Sequence, residues 1–141
     1  KVRSLYSQIV GRGTRLAANP ELKDHLAHVH VAKASEEELA VLLEGRSLEA
    51  FRSAHGLAEL LVTRGERGAL VVTRSGVAEI ATPPVPRRFP VGAGDVFLAA
   101  YLYARASGRS PSDAGVFAAL RSAAHVEHGF AGASGKAVAT P

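Results

Sequence analysis

Gly92-Ala93-Gly94-Asp95, followed at once by the apolar run Val96-Phe97-Leu98-Ala99-Ala100-Tyr101-Leu102, decides how the rest of this chain is read. A glycine-rich bend that opens a helix exposes backbone N–H groups at the positive end of the helix dipole. Such an end holds a phosphate or a developing anion. An acid is electrostatically favoured at the same place, and beside a bound phosphate it can serve as a base toward an attacking hydroxyl. The stretch therefore suggests phosphoryl-transfer chemistry.

The composition sets wide bounds around that idea. With 141 residues the chain can build one compact domain with a core. Hydrophobic residues make up 47% and charged residues 21%, near the globular average, which argues against disorder. Cysteine is absent, which excludes disulfides and thiolate metal sites within this chain. No apolar run is long enough to span a bilayer and no signal segment opens the chain, so a cytoplasmic protein without a membrane partner is expected. Methionine is also absent and the first residue is Lys1, so a processed chain or a piece of a longer protein is expected. The net charge is +4, but the basic residues are scattered, with Arg87-Arg88 their only adjacent pair. Nucleic-acid binders usually cluster such charge, so no nucleic-acid partner is indicated. The excess suits a solvated surface, or an anionic substrate such as a nucleotide.

Along the chain, residues 4–10 read as a strand that Gly11-Arg12-Gly13 ends. Asn19-Pro20-Glu21 opens a helix expected to reach about residue 27. Residues 28–33 alternate as a strand, with His28 and His30 on one face. Ser35-Glu36-Glu37-Glu38 is a capping box for a helix that stops at Gly45, and a short helix fits residues 47–55. Strands are expected over 60–63, 69–73 and 77–82, with turns at Gly65-Glu66-Arg67-Gly68 and Arg74-Ser75-Gly76. Pro83-Pro84-Val85-Pro86 is a stiff spacer. The helix from Asp95 to about Gly108 is apolar on nearly all sides and should be buried. A last helix starts at Ser110-Pro111 and ends near His128. This alternation predicts a single α/β domain with helices on a mostly parallel sheet. The pairs His28/His30 and His125/His128 lack a third ligand at metal-binding spacing and read as surface or helix-end histidines.

A capped helix, then Thr-x-Gly-x-x-Gly, then Gly-Ala-Gly-Asp on a long helix resembles, in that order, the ribokinase-like (PfkB-type) carbohydrate kinases. The likeness covers roughly residues 32–129 and looks like the C-terminal half of such an enzyme, without its N-terminal half and lid. The family pattern Asp-Thr-x-Gly-Ala-Gly-Asp falls on residues 89–95. By that resemblance Asp95 is the general base and Gly92, Ala93 and Gly94 form the anion hole. The leading Asp-Thr is Phe89-Pro90 here, which removes a carboxylate, a hydroxyl and one N–H donor. Thr63, Arg64, Gly65 and Gly68 carry the pattern that approaches the nucleotide phosphates, where missing side chains let the backbone come close; a plain hairpin turn is the alternative. The family's Asn-x-x-Glu falls on residues 35–38, so Glu38 stands at its metal-holding position, with Mg²⁺ reached through phosphate or water. Ser35 replaces the asparagine, and a capping box alone also explains both residues. Residues 118–129 resemble the helix and loop beside the adenine.

The resemblance implies transfer of the γ-phosphoryl group of ATP, with Mg²⁺, to a hydroxyl of a sugar or related polyol. It leaves room for a monovalent cation and for a homodimer. Family members place the sugar mainly against N-terminal residues, so little activity is expected of this stretch alone. Phe89-Pro90 and Ser35 motivate the alternative of a kinase-like nucleotide-binding protein with weak or no catalysis.

Overall fold

The computed structural model describes residues 7–10, 13–16, 26 and 28–129. The chain gathers into two compact units, Lys1–Ala81 and Thr82–Pro141. In the first, β1 (Ser7–Val10) pairs antiparallel with β2 (Gly13–Leu16), Val10 opposite Gly13. The sequence reading ends the strand at Gly11-Arg12-Gly13, whereas the chain continues as a second strand from Gly13. A two-residue connection with glycine is a common hairpin link, and such a signal is easily mistaken for simple termination. Of the helix expected over 19–27, only Leu26 is described; the rest lies outside the described residues.

Four further strands form one sheet in sequential order: β3 (Val31–Ser35), β4 (Glu59–Thr63), β5 (Ala69–Thr73) and β6 (Gly76–Ile80). The expected α/β class holds, with helices flanking the sheet. The expectation of mostly parallel pairing is corrected: β3 and β4 are parallel, but β4–β5 and β5–β6 are antiparallel. Chain length between strands is the cause. Two helices, α1 (Glu36–Leu43) and α2 (Leu48–Ala54), fill the crossover from β3 to β4. Only residues 64–68 and 74–75 separate the later strands, and links that short close antiparallel pairs alone. The strand expected over 28–33 starts only at Val31, where pairing with Glu59 begins. His28 and His30 therefore precede it and are exposed, rather than sharing a strand face.

Alternation along β4 turns Leu60 and Val62 toward a core that also holds Leu26, Ala34, Leu39, Leu42, Phe51, Leu57 and Val72. Leu61 and Val71, paired with each other on the other face of the sheet, are fully buried as well. Burial on both faces explains why these strands read as unbroken apolar runs. Helices α1 and α2 both start on a serine cap: Ser35 Oγ accepts from Glu38 N at 3.2 Å, and Ser47 Oγ from Ala50 N at 3.1 Å. At its other end α1 leaves the helix through Glu44 in the left-handed region (φ 48°). Arg46 reaches back to donate to the carbonyls of Leu43 and Leu42 at 3.1 and 3.2 Å, which satisfies end carbonyls that the helix cannot.

The second unit is built on α3 (Ala93–Ala106) and α4 (Pro111–His128), which pack together. Ser110 caps α4 by accepting from Asp113 N at 3.1 Å, and Pro111 occupies the first turn. The buried stripe of α3 is Phe97, Tyr101 and Ala104; that of α4 is mostly small, with Ala114, Gly115, Ala118, Ala119 and Ala123. Small residues let the two backbones approach. The expectation that α3 is buried all round is corrected, since Leu102 and Tyr103 are exposed. A packed neighbour covers one stripe of a helix, whatever the polarity of the remainder. No helix among the described residues is long and apolar enough to cross a membrane.

Candidate active site

In the second unit the chain enters α3 through a bend. Pro90 O accepts from Ala93 N at 3.3 Å, and Gly92 takes the left-handed conformation (φ 84°) as the N-cap. Glycine adopts that backbone without penalty, and here no side chain supplies a cap. Gly92 O accepts from Asp95 N at 3.0 Å and from Val96 N at 2.9 Å. The N–H groups of Ala93 and Asp95 are thus used within the bend, while those of Gly92 and Gly94 donate to no other described residue. Asp95 lies in the first turn of α3, and its side chain is exposed. The bend therefore offers two amide donors beside a solvent-reachable carboxylate, an arrangement that fits an anion and a proton acceptor side by side.

Helix α4 grips this bend. Ser122 Oγ donates to Ala93 O at 2.9 Å, and His125 Nε2 donates to Val91 O at 2.8 Å. Val126 O accepts from Phe89 N at 2.8 Å and from Arg88 N at 3.2 Å. The Phe89 ring, half exposed, lies against Gly129, where an added β-carbon would meet it at 3.4 Å. His125 stands in the last turn of α4, at a helix end as the sequence suggested, but is buried rather than at the surface, whereas His128 is exposed. The sequence reading assigned neither Ser122 nor His125 a role. Their signal is a helical one: Ala118, Ser122 and His125 stand at i, i+4 and i+7, so two polar residues fall in line with a buried alanine.

In the first unit the C-terminal ends of the parallel strands β3 and β4 bring Ser35 opposite Thr63. Glu38 and Thr63 thus stand near one sheet edge, the edge beyond which open α/β sheets bind ligands. Residues 64–68 close the β4–β5 link through Arg64 N to Gly68 O at 2.8 Å and a tight turn at Gly65–Arg67. The Arg64 guanidinium donates to Glu79 Oε1 at 2.5 Å and to Arg67 O at 3.2 Å. The Arg67 guanidinium pairs with Glu36 on α1, tying this turn to the capped helix end. Gly65 has open space around it, but at Gly68 a β-carbon would sit 2.0 Å from Ile80 O. A close backbone approach inside the fold thus accounts for Gly68, and a hairpin link for the turn.

Glu38 Oε2 accepts from Ser35 N at 2.8 Å, completing the capping box. One carboxylate oxygen is thereby committed to the helix end. No group of three or more histidine, aspartate or glutamate side chains that could hold a metal ion is found among the described residues. A cation at Glu38 would therefore need phosphate or water for most of its ligands, as Mg²⁺ commonly does. Ser35→Ala is expected to lower unfolding free energy by about 1 kcal/mol, read by urea denaturation. Glu38→Gln keeps the reciprocal cap and is expected to stay within about 0.5 kcal/mol of the parent. Loss of Mg²⁺-dependent turnover in that stable variant would isolate a role beyond the cap, and unchanged turnover would leave the cap as its whole role.

Comparison with known proteins bears on this geometry. The model of the pfkB family carbohydrate kinases matches residues 9–136. No curated protein sequence matches the chain. Among solved structures, a nucleoside kinase from Burkholderia thailandensis in complex with inosine is 27% identical with a TM-score of 0.67, over 74% of this chain and 35% of its own. A putative ribokinase II from E. coli in complex with ATP and Mg²⁺ is 27% identical with a TM-score of 0.68, over 74% and 35%. A fructokinase from Vibrio cholerae with fructose, ADP and calcium bound is 27% identical with a TM-score of 0.66, over 76% and 39%. The chain thus spans between a third and two fifths of the length of these kinases. With the family model matching nearly its whole length, the chain belongs to the pfkB family of carbohydrate kinases.

Proposed function

We propose that the protein transfers the γ-phosphoryl group of ATP to a hydroxyl of a sugar, nucleoside or related polyol, and that both units belong to one kinase domain. The observation that carries this is the bend into α3, where Gly92 and Gly94 offer N–H groups that no other described residue uses, beside the exposed Asp95. In this reading Asp95 takes the proton of the attacking hydroxyl. The hydroxyl oxygen bonds to the γ-phosphorus, the bond to the bridging oxygen breaks, and ADP leaves with the electron pair. The Gly92-Ala93-Gly94 bend holds the charge on the transferred group, in which Gly92 and Gly94 supply the donors. Thr63, Arg64, Gly65 and Gly68 lie along the nucleotide phosphates, with Arg64 available only if it leaves Glu79. Glu38, through phosphate or water, would hold Mg²⁺, which would supply charge neutralisation to the phosphates. A monovalent cation and a homodimer are compatible with the reading, and ATP use accords with the cytoplasm.

The test is transfer from ATP and Mg²⁺ by the full-length protein to a panel of sugars and nucleosides. Formation of ADP and a phosphate ester with at least one alcohol supports the proposal. A second reading, nucleotide binding with little catalysis, draws on Phe89-Pro90, where the family carries Asp-Thr. Tight ATP binding by calorimetry without transfer to any acceptor would favour it.

A further inference from the structure

The two amides of the bend that no other described residue uses share one arrangement. The Gly92 N–H shares a peptide plane with the Val91 carbonyl, and the Gly94 N–H shares one with the Ala93 carbonyl. In a trans peptide the N–H and C=O of one plane point in opposite directions. The described residues contain no cis bond. Both carbonyls are gripped by side chains of one helix, Val91 O by His125 at 2.8 Å and Ala93 O by Ser122 at 2.9 Å. The imidazole also lies against the bend itself, since a β-carbon on Gly92 would stand 3.6 Å from His125 Nε2.

We infer that Ser122 and His125 are positioning residues: by holding the Val91 and Ala93 carbonyls toward α4, they aim the Gly92 and Gly94 N–H groups the other way, at the transferred phosphoryl group. The inference rests on the proposed role of the bend. Bonds within the bend fix the Gly92–Ala93 peptide plane through Gly92 O and Ala93 N, but give the Val91 carbonyl no partner there, so His125 is what orients the Val91–Gly92 plane beside a conformationally free glycine. His125 does this as a donor through Nε2, from a buried ring that packing on α4 holds in place.

The test uses His125→Ala, Ser122→Ala and His125→Gln in the full-length protein, with Asp95→Asn as reference. Glutamine carries an amide N–H at a reach close to that of Nε2. His125→Ala is expected to lower kcat by about 10–100-fold with KM for ATP held within about twofold, as misaimed transition-state donors do. Ser122→Ala is expected to lose kcat in the same manner by about tenfold, and His125→Gln to recover most of the loss. Amide exchange of Asp95 and Val96, both bonded to Gly92 O, is expected to quicken about tenfold in His125→Ala and to return toward the parent rate in His125→Gln. Wild-type kcat in both alanine variants, or glutamine as damaging as alanine, overturns the inference. If no transfer is found in the parent protein, or Asp95→Asn keeps full turnover, the proposed reaction fails instead. The exchange rates then still decide whether α4 sets the bend, and unchanged rates in His125→Ala would overturn that.

Discussion

Asp95→Asn is expected to reduce kcat for phosphoryl transfer by about 10²–10⁴-fold, the range spanned by a positioned general base. The substitution keeps the size and one oxygen of the side chain but removes its capacity to accept the hydroxyl proton. Because Asp95 is exposed in the first turn of α3 and packs into no core, stability is expected to move by less than about 1 kcal/mol. KM for ATP is expected to stay within about threefold, since the change acts on the transition state rather than on binding. Steady-state kinetics paired with thermal denaturation reads both quantities. Wild-type turnover in the variant would remove Asp95 from the reaction. A loss of turnover matched by a loss of folding would make the role structural.

Gly68→Ala is expected to cost about 3–5 kcal/mol of unfolding free energy, combining backbone strain with overpacking. Gly68 has φ 84° and ψ −140°, a region closed to residues with a side chain. The added methyl would meet Ile80 O at 2.0 Å, Ile80 C at 3.1 Å and Ala81 Cα at 3.3 Å. All three are main-chain atoms, so no side chain can swing aside to relieve the clash. Gly65→Ala is the internal control. Gly65 also has positive φ (59°) but meets nothing within 4 Å, so only the conformational cost of about 1 kcal/mol is expected. Urea denaturation of the two variants separates these cases. Equal small losses would mean that the β5–β6 hairpin yields at Ile80, and the packing account of Gly68 would fall.

Much of the fold was legible because local signals agreed with tertiary demand. The Ser35 and Ser110 caps were readable since a cap is a bond between near neighbours in the chain. The strand over 69–73 was readable since its apolar run matches a fully covered strand. The sheet's mixed pairing was also implicit in the turns at 65–68 and 74–76, but strand–helix alternation was weighed above linker length. The β1–β2 hairpin was missed because its glycines also serve as a strand terminator. Gly68 shows the opposite difficulty: the glycine was evident, but its neighbour Ile80 is twelve residues along the chain, so the sequence offered a phosphate or a hairpin turn as the reason for a missing side chain and not the close approach of Ile80.

What the sequence determined alone was the chemistry on offer: a glycine bend, an acid at the head of a helix and the serine-capped helix starts at Ser35 and Ser110, each written within a few consecutive residues. Local hydrogen bonding and backbone freedom suffice to produce them. Tertiary structure alone decided what surrounds those pieces. The carbonyls of the bend are held by Ser122 and His125, roughly thirty residues away, and Arg64 and Arg67 are spent on Glu79 and Glu36. The physical reason is that a peptide plane or a guanidinium has no preferred partner until packing brings one within about 3 Å, and that distance is set by how helices and strands stack rather than by the order of residues.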